Sequence, residues 1–336
     1  MQNKIAEEKS EQTPLTVLKG YLQDDFDKVD GLIYELIKSK VSLIPEISDH
    51  TISSGGKRMR PMLTLATANM CGYKGDAHID LAACVEFIHT ATLLHDDVVD
   101  KSDLRRGNST ANNVWGNKES ILVGDFLLGK AFSLMGAGKS LEIYRILSDA
   151  AVIISEGEVM QLAATGKLIE NSDNYTKIIA SKTAELFAAA CEVGGVLAGI
   201  EQGKAKSLRN YGMALGIAFQ IIDDALDYSA KQEKLGKSVG DDFKERKVTL
   251  PVILSYTNAN AEEKAFWSRT IEGGRQEARD VAIAVSYVEK SGAIEESIKV
   301  AKSYTDEARK SILFMDEGPI RDSLVGLLDF VLDREF

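Results

Sequence analysis

Cysteine is scarce in this chain of 336 residues, with Cys71, Cys84 and Cys191 the three present. The number is odd and no CxxC spacing occurs, which argues against a disulfide framework or a zinc site and predicts buried, reduced thiols. Proline is scarce too, five residues at Pro14, Pro45, Pro61, Pro251 and Pro319, each where a helix could start or stop. No Pro/Gly/Ser-rich linker divides the chain, so one domain is expected over residues 14–336 behind a polar tail of residues 1–13. Basic excess is missing as well. A net charge of -11 argues against nucleic-acid binding, which needs lysine and arginine spread over a broad face. The stretch MQNKIAEEKSEQ has no apolar leader core, and no apolar run of membrane-spanning length is expected anywhere, which predicts a cytoplasmic protein. Short β-branched runs do not alternate with helical patterns, so an α/β nucleotide fold is excluded and an all-α chain is expected.

What is present is acid at the ends of apolar helices. Phe87–Asn108, FIHTATLLHDDVVDKSDLRRGN, begins as an apolar run of helical period and then places Asp96, Asp97 and Asp100 where the helix should end. Residues four apart share a face, so Asp96 and Asp100 point together and Asp97 lies about a hundred degrees away. Carboxylates there meet the negative end of the helix dipole and repel one another, by roughly 4 kcal/mol per pair at ~4 Å in a partly buried site. A hard cation relieves that cost. Magnesium suits the ligands, because it is commonly held by one or two carboxylates together with substrate phosphate oxygens. Arg105 and Arg106 follow, a guanidinium pair suited to phosphate.

A single DDxxD also occurs on solvated helices, and Leu22–Asp30, LQDDFDKVD, is an equally acidic segment of this chain expected to face water. Repetition separates the two cases. Asp223, Asp224 and Asp227 in AFQIIDDALDY repeat the spacing at the end of a second apolar run, Met213–Ile222. Two such motifs on two buried helices make sense if the helices face each other and share metal ions that grip one polyanion, for which a diphosphate fits best.

The remaining chain supplies further basic groups. Ser53–Pro61, SSGGKRMRP, combines Gly55 and Gly56 with Lys57, Arg58 and Arg60 at a helix start, an anion-binding arrangement if it is more than a capped turn. Helices are expected over Pro14–Lys40, Met62–Met70, Leu81–Leu94, Ser120–Met135 and Leu141–Leu162, with further amphipathic helices from Pro251 to Phe336. Tyr175–Ile200 carries Lys182 and Thr183 before a small-residue run that lets helices approach closely or leaves room for a ligand. Val41–Ser54 is expected as a turn-rich connection, Asn108–Asn117 as a loop and Leu235–Pro251, LGKSVGDDFKERKVTLP, as a charged loop. Its GKS is not a P-loop, because the first glycine of that motif would fall on Lys231. His89 lies two turns, roughly 10 Å, before Asp96 on one helix.

With GGKRMRP, DDVVD and RRG, SKT, FQIIDD with Asp227, and GKSVGDDFKERKVTLP in one order, the chain resembles the trans-isoprenyl diphosphate synthases. The resemblance implies a single large antiparallel helical bundle around a deep central cavity, usually a homodimer. It implies two or three Mg2+ ions held by Asp96, Asp100, Asp223 and Asp227, with Asp97 and Asp224 in support. It places isopentenyl diphosphate on Lys57, Arg60, His89 and Arg106, and the allylic diphosphate, farnesyl diphosphate foremost, on Arg105, Lys182 and Lys237. Thr183 and Gln220 would line the path of the reacting carbons. In this family bulky residues just before the first motif block the growing tail. Here Ala91 and Thr92 are small, and Met135 and Leu147 are candidates for the cavity floor. The expected product is therefore long-chain, octaprenyl favoured, serving a quinone side chain such as that of ubiquinone, with peripheral membrane contact during product release. The rival readings are a short-chain farnesyl or geranylgeranyl synthase, a terpene cyclase, which needs no isopentenyl site, and a non-catalytic partner subunit, which would lose carboxylates from one motif.

Overall fold

The structure, a computed structural model, describes residues 13–229 and 239–333. Lys237 and the tail of residues 1–12 lie outside the described residues. Within them the chain is helical apart from one hairpin. In order it forms α1 (Pro14–Tyr21), α2 (Gln23–Leu36), α3 (Leu43–Ser53), α4 (Met59–Met70), α5 (Ala77–Val99), β1 (Leu104–Arg105), β2 (Asn108–Ser109), α6 (Ala111–Trp115), α7 (Asn117–Met135) and α8 (Leu141–Ala164). There follow α9 (Asp173–Ile179), a π turn (Ala180–Ala184), α10 (Glu185–Leu197), α11 (Gln202–Leu226), α12 (Asp241–Lys244) and α13 (Leu250–Thr257). Beyond these come α14 (Ala261–Trp267), a second π turn (Ser268–Glu272), α15 (Asp280–Lys290), α16 (Ala293–Ser311) and α17 (Pro319–Leu332).

Two compact units organise these helices, each drawn from separate stretches of chain. One takes Met1–Ala151, Leu186–Arg209 and Phe314–Ser323; the other takes Val152–Glu185, Asn210–Leu313 and Leu324–Phe336. In the first unit α5 is the central helix. Its small and branched residues bury on several sides, Ala82, Ala83, Val85, Phe87 and Ala91 among them, and it packs along α7. Gly124 permits that approach, since a Cβ there would collide with the His95 ring. The helix ends at Asp100, whose N–H donates to Asp96 O at 2.8 Å, and Lys101 then takes a left-handed conformation (φ 53) that stops it. In the second unit Tyr228, Phe243, Phe266 and Trp267 anchor the core, with Phe243 and Phe266 stacked at 6.0 Å.

Four expectations are corrected. Val41–Ser54 is mostly helix, because Ile47, Thr51 and Ile52 recur on one buried face and Pro45 lies in the first turn, where its missing N–H costs nothing. Asn108–Asn117 contributes a strand and the short α6, not a plain loop. The acidic segment on α2 is only partly solvated. Asp25 accepts from His78 Nε2 at 2.9 Å and Asn69 Nδ2 at 3.0 Å, and Arg58 Nη1 donates to Asp30 at 2.6 Å. Two helices, finally, are long and apolar enough to cross a membrane, Ala77–Val99 and Asn117–Gly138, the first 72% and the second 28% buried over its most apolar window. The first is a core helix that carries Glu86, Asp96 and Asp97 with it; the second leaves Ile121, Leu122 and Phe132 exposed. Cys84 and Cys191 are buried and Cys71 partly so, all as free thiols, as expected.

Candidate active site

In the first unit, the end of α5 and the hairpin behind it arrange the first aspartate motif. Asp97 turns inward, 2% exposed, and accepts two hydrogen bonds from Arg105, Nε at 2.9 Å and Nη2 at 2.7 Å. Arg106 and Gly107 are the two central residues of the hairpin turn, both at positive φ (53 and 82), the geometry of a type I′ turn. The two neighbouring arginines are thereby split. Arg105 is held on Asp97, whereas Arg106 lies against Gly56, where a Cβ would come within 2.7 Å of Nη1. The hairpin itself is pinned by His50 Nε2, which donates to Ser109 O at 2.7 Å. Asp96 and Asp100 remain half-buried one turn apart, as the spacing predicts.

Beside them is a cationic cluster. Arg60 Nη1 donates to His89 Nε2 at 3.1 Å, and its guanidinium lies over the Phe187 ring, 4.4 Å from the centroid. A guanidinium only donates, so Nε2 accepts and the imidazole is neutral there. Burial, then the positive charges of Arg60, Arg106 and Arg105, hold the His89 pKa well below its usual value. Burial also lowers that of Arg60, to about 10, with buried Glu86 opposing and Arg106 adding to the shift. The Nε of Arg60 is buried and finds no acceptor among the described residues. Such a cluster favours an anion. Arg58 shares the motif but not the role: it takes a left-handed conformation (φ 44) at the start of α4 and binds Asp30, with Glu86 at 3.8 Å. Lys57 is exposed.

In the second unit the SKT segment forms the π turn Ala180–Ala184, a widened helical turn found often at functional sites. Gly157 of α8 makes room for it, since a Cβ there would fall 2.6 Å from Lys182 N. Lys182 Nζ donates to Glu158 Oε2 at 2.6 Å. Thr183 Oγ1 donates to Gln220 Oε1 at 2.8 Å, and Gln220 Nε2 to Asp224 Oδ1 at 2.7 Å. Lys182, Thr183, Gln220 and Asp224 line one pocket together with Gln161, Tyr175 and Asp242.

The second aspartate motif is divided in the same way as the first. Asp223 is exposed and Asp224 buried. Asp227 accepts from the backbone N–H of Asp241 at 3.1 Å and of Asp242 at 3.0 Å, which makes it the anchor of α12. Burial raises Asp224 to about 7 against the hydrogen bonds of Tyr175 and Gln220, with Asp223 and Asp227 raising it further. Asp227 is raised to about 6 by burial, opposed by those two N–H groups. Asp242 is pushed well above its usual value by burial and then by Asp224 and Asp227. Burial and mutual repulsion, which disfavour the charged form of these carboxylates, are what a hard cation would relieve. Among the described residues no three acidic or histidine side chains form a ready metal cage. The residues fit Mg2+ that completes its shell with water and substrate oxygens.

The candidate chain-length residues all belong to the first unit. Ala91, Met135 and Leu147 are 0% exposed, and the Thr92 hydroxyl is turned onto its own helix, donating to His89 O at 2.8 Å. Sequence reasoning had no role for Tyr175 or Glu86. A carboxylate inside the apolar run of α5 was a usable sign for Glu86; a lone tyrosine carries none.

Comparison with known proteins gives one answer throughout. The sequence model of the polyprenyl synthetase family matches residues 41–288. Octaprenyl diphosphate synthase of Escherichia coli (strain K12) is 42% identical over 313 residues, 93% of this chain and 96% of that protein. The crystal structure of a decaprenyl diphosphate synthase from Rhodobacter capsulatus superposes with a TM-score of 0.91 at 48% identity, covering 94% of this chain and 98% of that one. A polyprenyl synthase from Caulobacter crescentus CB15, complexed with calcium and isoprenyl diphosphate, gives 0.92 at 43% identity, covering 96% of this chain and 98% of that one.

Proposed function

The chain belongs to the polyprenyl synthetase family, and on that premise we propose that it is an all-trans long-chain polyprenyl diphosphate synthase of the octaprenyl class. The carrying observation is that one helix, α5, bears His89 of the arginine cluster and, two turns on, Asp96 and Asp100. A receptor for bare diphosphate and a receptor for metal-bound diphosphate thus lie roughly 10 Å apart along the helix. Joining two diphosphate substrates needs both; cyclising one substrate needs only the second.

In this reading Lys57, Arg60, Arg106 and neutral His89 hold the diphosphate of the isopentenyl substrate as hydrogen-bond donors. The Nε of Arg60 supplies a buried donor, and the His89 imidazole can take a proton as the anion arrives. Arg105, held in place by Asp97, and Lys182 bind the oxygens of the allylic diphosphate. Asp96 and Asp100, and Asp223 with Asp227, would hold Mg2+. Bound there, it neutralises negative charge growing on the departing diphosphate. The cation left on the allylic carbon is attacked by the isopentenyl double bond, and the released diphosphate takes the proton that restores a double bond. No protein nucleophile is required. Thr183 and Gln220 present oxygens toward the reacting carbons, and the apolar helix walls exclude water that would quench the cation.

The product class rests on the long-chain relatives, and the small side chain of Ala91 before the first motif supports it. A homodimer fits the exposed apolar side chains of the first unit, Leu122 at 67% and Leu141 at 65%, with Ile121, Phe132 and Tyr144. We place the enzyme in the cytoplasm, handing its product to a membrane for attachment to a quinone ring. Incubation with farnesyl diphosphate, labelled isopentenyl diphosphate and Mg2+, followed by chromatography of the dephosphorylated product, tests the reading. A ladder ending in the octaprenyl range supports it. Termination at four isoprene units, about C20, assigns a short-chain synthase, and no extension removes the synthase reading. Light scattering of the purified chain at twice the monomer mass supports the dimer.

A further inference from the structure

The buried carboxylate of Asp224 accepts two side-chain hydrogen bonds, from Tyr175 OH on Oδ2 at 2.6 Å and from Gln220 Nε2 on Oδ1 at 2.7 Å. Both bonds run toward the carboxylate, each of whose oxygens accepts one. Gln220 therefore turns its NH2 toward Asp224, its Oε1 is left facing Thr183, and the Thr183 hydroxyl has to donate, which it does at 2.8 Å. The polarity of the whole chain is set from the Asp224 end. Its members are closely held: Tyr175 is 4%, Asp224 5% and Thr183 8% exposed, and Thr183 lies in the π turn directly after α9, which carries Tyr175. Without the tyrosine donor, one oxygen of Asp224 would be buried and unmatched. The carboxylate could then rotate, the amide of Gln220 could invert, and the Thr183 hydrogen would no longer be committed.

We propose that Tyr175 is a positioning residue for the condensation: by fixing Asp224 it locks the Gln220 amide, and so turns the Thr183 hydrogen away and leaves only oxygen lone pairs for the reacting carbons. The proposal rests on the reading above, in which Thr183 and Gln220 line the path of those carbons. An oxygen whose hydrogen is engaged elsewhere offers negative potential to a developing allylic cation, whereas the inverted hydroxyl offers a positive edge. The gain comes from preorganisation, since the dipole need not turn during the reaction.

Tyr175→Phe keeps the ring and deletes the donor. The expected result is a fall in kcat of about ten- to a hundredfold, the effect of one hydrogen bond to a charged group. KM for both substrates should stay within about twofold, since no diphosphate contact is lost. In a Thr183→Val background the same substitution should cost less than about threefold, because the hydroxyl it orients is already gone. An unchanged kcat in the native background, or an equal loss in both backgrounds, overturns the proposal. If Tyr175→Phe does not fold, fluorotyrosines placed at 175 keep ring and hydroxyl while changing the acidity of the donor. A kcat that tracks ring acidity then supports the proposal, and an indifferent kcat removes it. The unmodified enzyme is assayed first: if it does not extend farnesyl diphosphate, the synthase reading fails, and the relay loses its purpose with it.

Discussion

Asp97 and Arg105 link the first aspartate motif to the hairpin behind it, with Arg105 Nε and Nη2 both on Asp97 Oδ1 at 2.9 and 2.7 Å. The pair takes the middle carboxylate of the motif inward and spends it on aiming an arginine. Asp97→Ala should therefore act through Arg105. We expect KM for the allylic diphosphate to rise about tenfold and stability to fall by about 1–3 kcal/mol, the range for losing a hydrogen-bonded charge partner. Steady-state kinetics and urea unfolding measure the two; an unchanged allylic KM would show that Arg105 is positioned by something else.

Asp96 faces the other way. Asp96→Ala should lower kcat by about a thousandfold, in line with removing one electrostatic stabiliser of a charged transition state. Its half-exposed position predicts a change in stability within about 0.5 kcal/mol. Single-turnover radiolabel assays beside thermal melts separate these, and a variant that retains a tenth of native turnover would remove Asp96 from the metal-holding set.

Gly56 touches Arg106 closely enough that a methyl group would lie 2.7 Å from Nη1. The neighbour is the far end of a flexible side chain, so Gly56→Ala should fold normally and displace the guanidinium. KM for isopentenyl diphosphate should rise by about fivefold, worth roughly 1 kcal/mol, with the allylic KM unaltered. Equal effects on both substrates would contradict the split between Arg105 and Arg106.

His89 is held neutral by burial and three arginines, with its folded pKa well below the usual value. The sign follows: between the folded pKa and the unfolded value near 6.5 the unfolded chain binds the extra proton, so stability falls as pH drops through that window. Relative to His89→Gln, the native protein should lose up to about 1.4 kcal/mol per pH unit below pH 6.5. Urea unfolding of both proteins at intervals from pH 7.5 to 5.5 reads the difference, and parallel curves would refute it.

Ala91 is fully buried on α5, five residues before Asp96. Ala91→Phe should shorten the main product by several isoprene units and cost about 1–3 kcal/mol in stability, the usual cost of overpacking a core. Chromatography of the dephosphorylated products decides; an unchanged chain length would mean that the tail does not pass this residue.

Where sequence reasoning erred, it erred on groups whose roles depend on distant partners. The helices around the two aspartate motifs were legible because an apolar run of helical period ending in carboxylates is a local pattern, written in neighbouring residues. Arg105 and Arg106 are also neighbours, yet their separation is set by the left-handed pair Arg106–Gly107 and by Asp97 eight residues back. Arg58 looked like a ligand and is a strut, because Asp30 arrives from another helix. The Val41–Ser54 segment was missed because its buried positions, Ile47, Ser48, Thr51 and Ile52, include two hydroxyl residues that composition assigns to turns.

By itself the sequence determined an all-helical chain, its family, both aspartate motifs and the basic clusters beside them in sequence, since each is carried by residue type and short-range spacing. The tertiary structure alone decided which charges are spent inside the protein. Asp97 aims Arg105, Asp227 anchors α12, Arg58 ties α4 to α2, and Tyr175 reaches Asp224 across forty-nine positions of chain. A charge is defined by its side chain, but its partner, its burial and hence its pKa are defined by whatever the fold brings within hydrogen-bond reach.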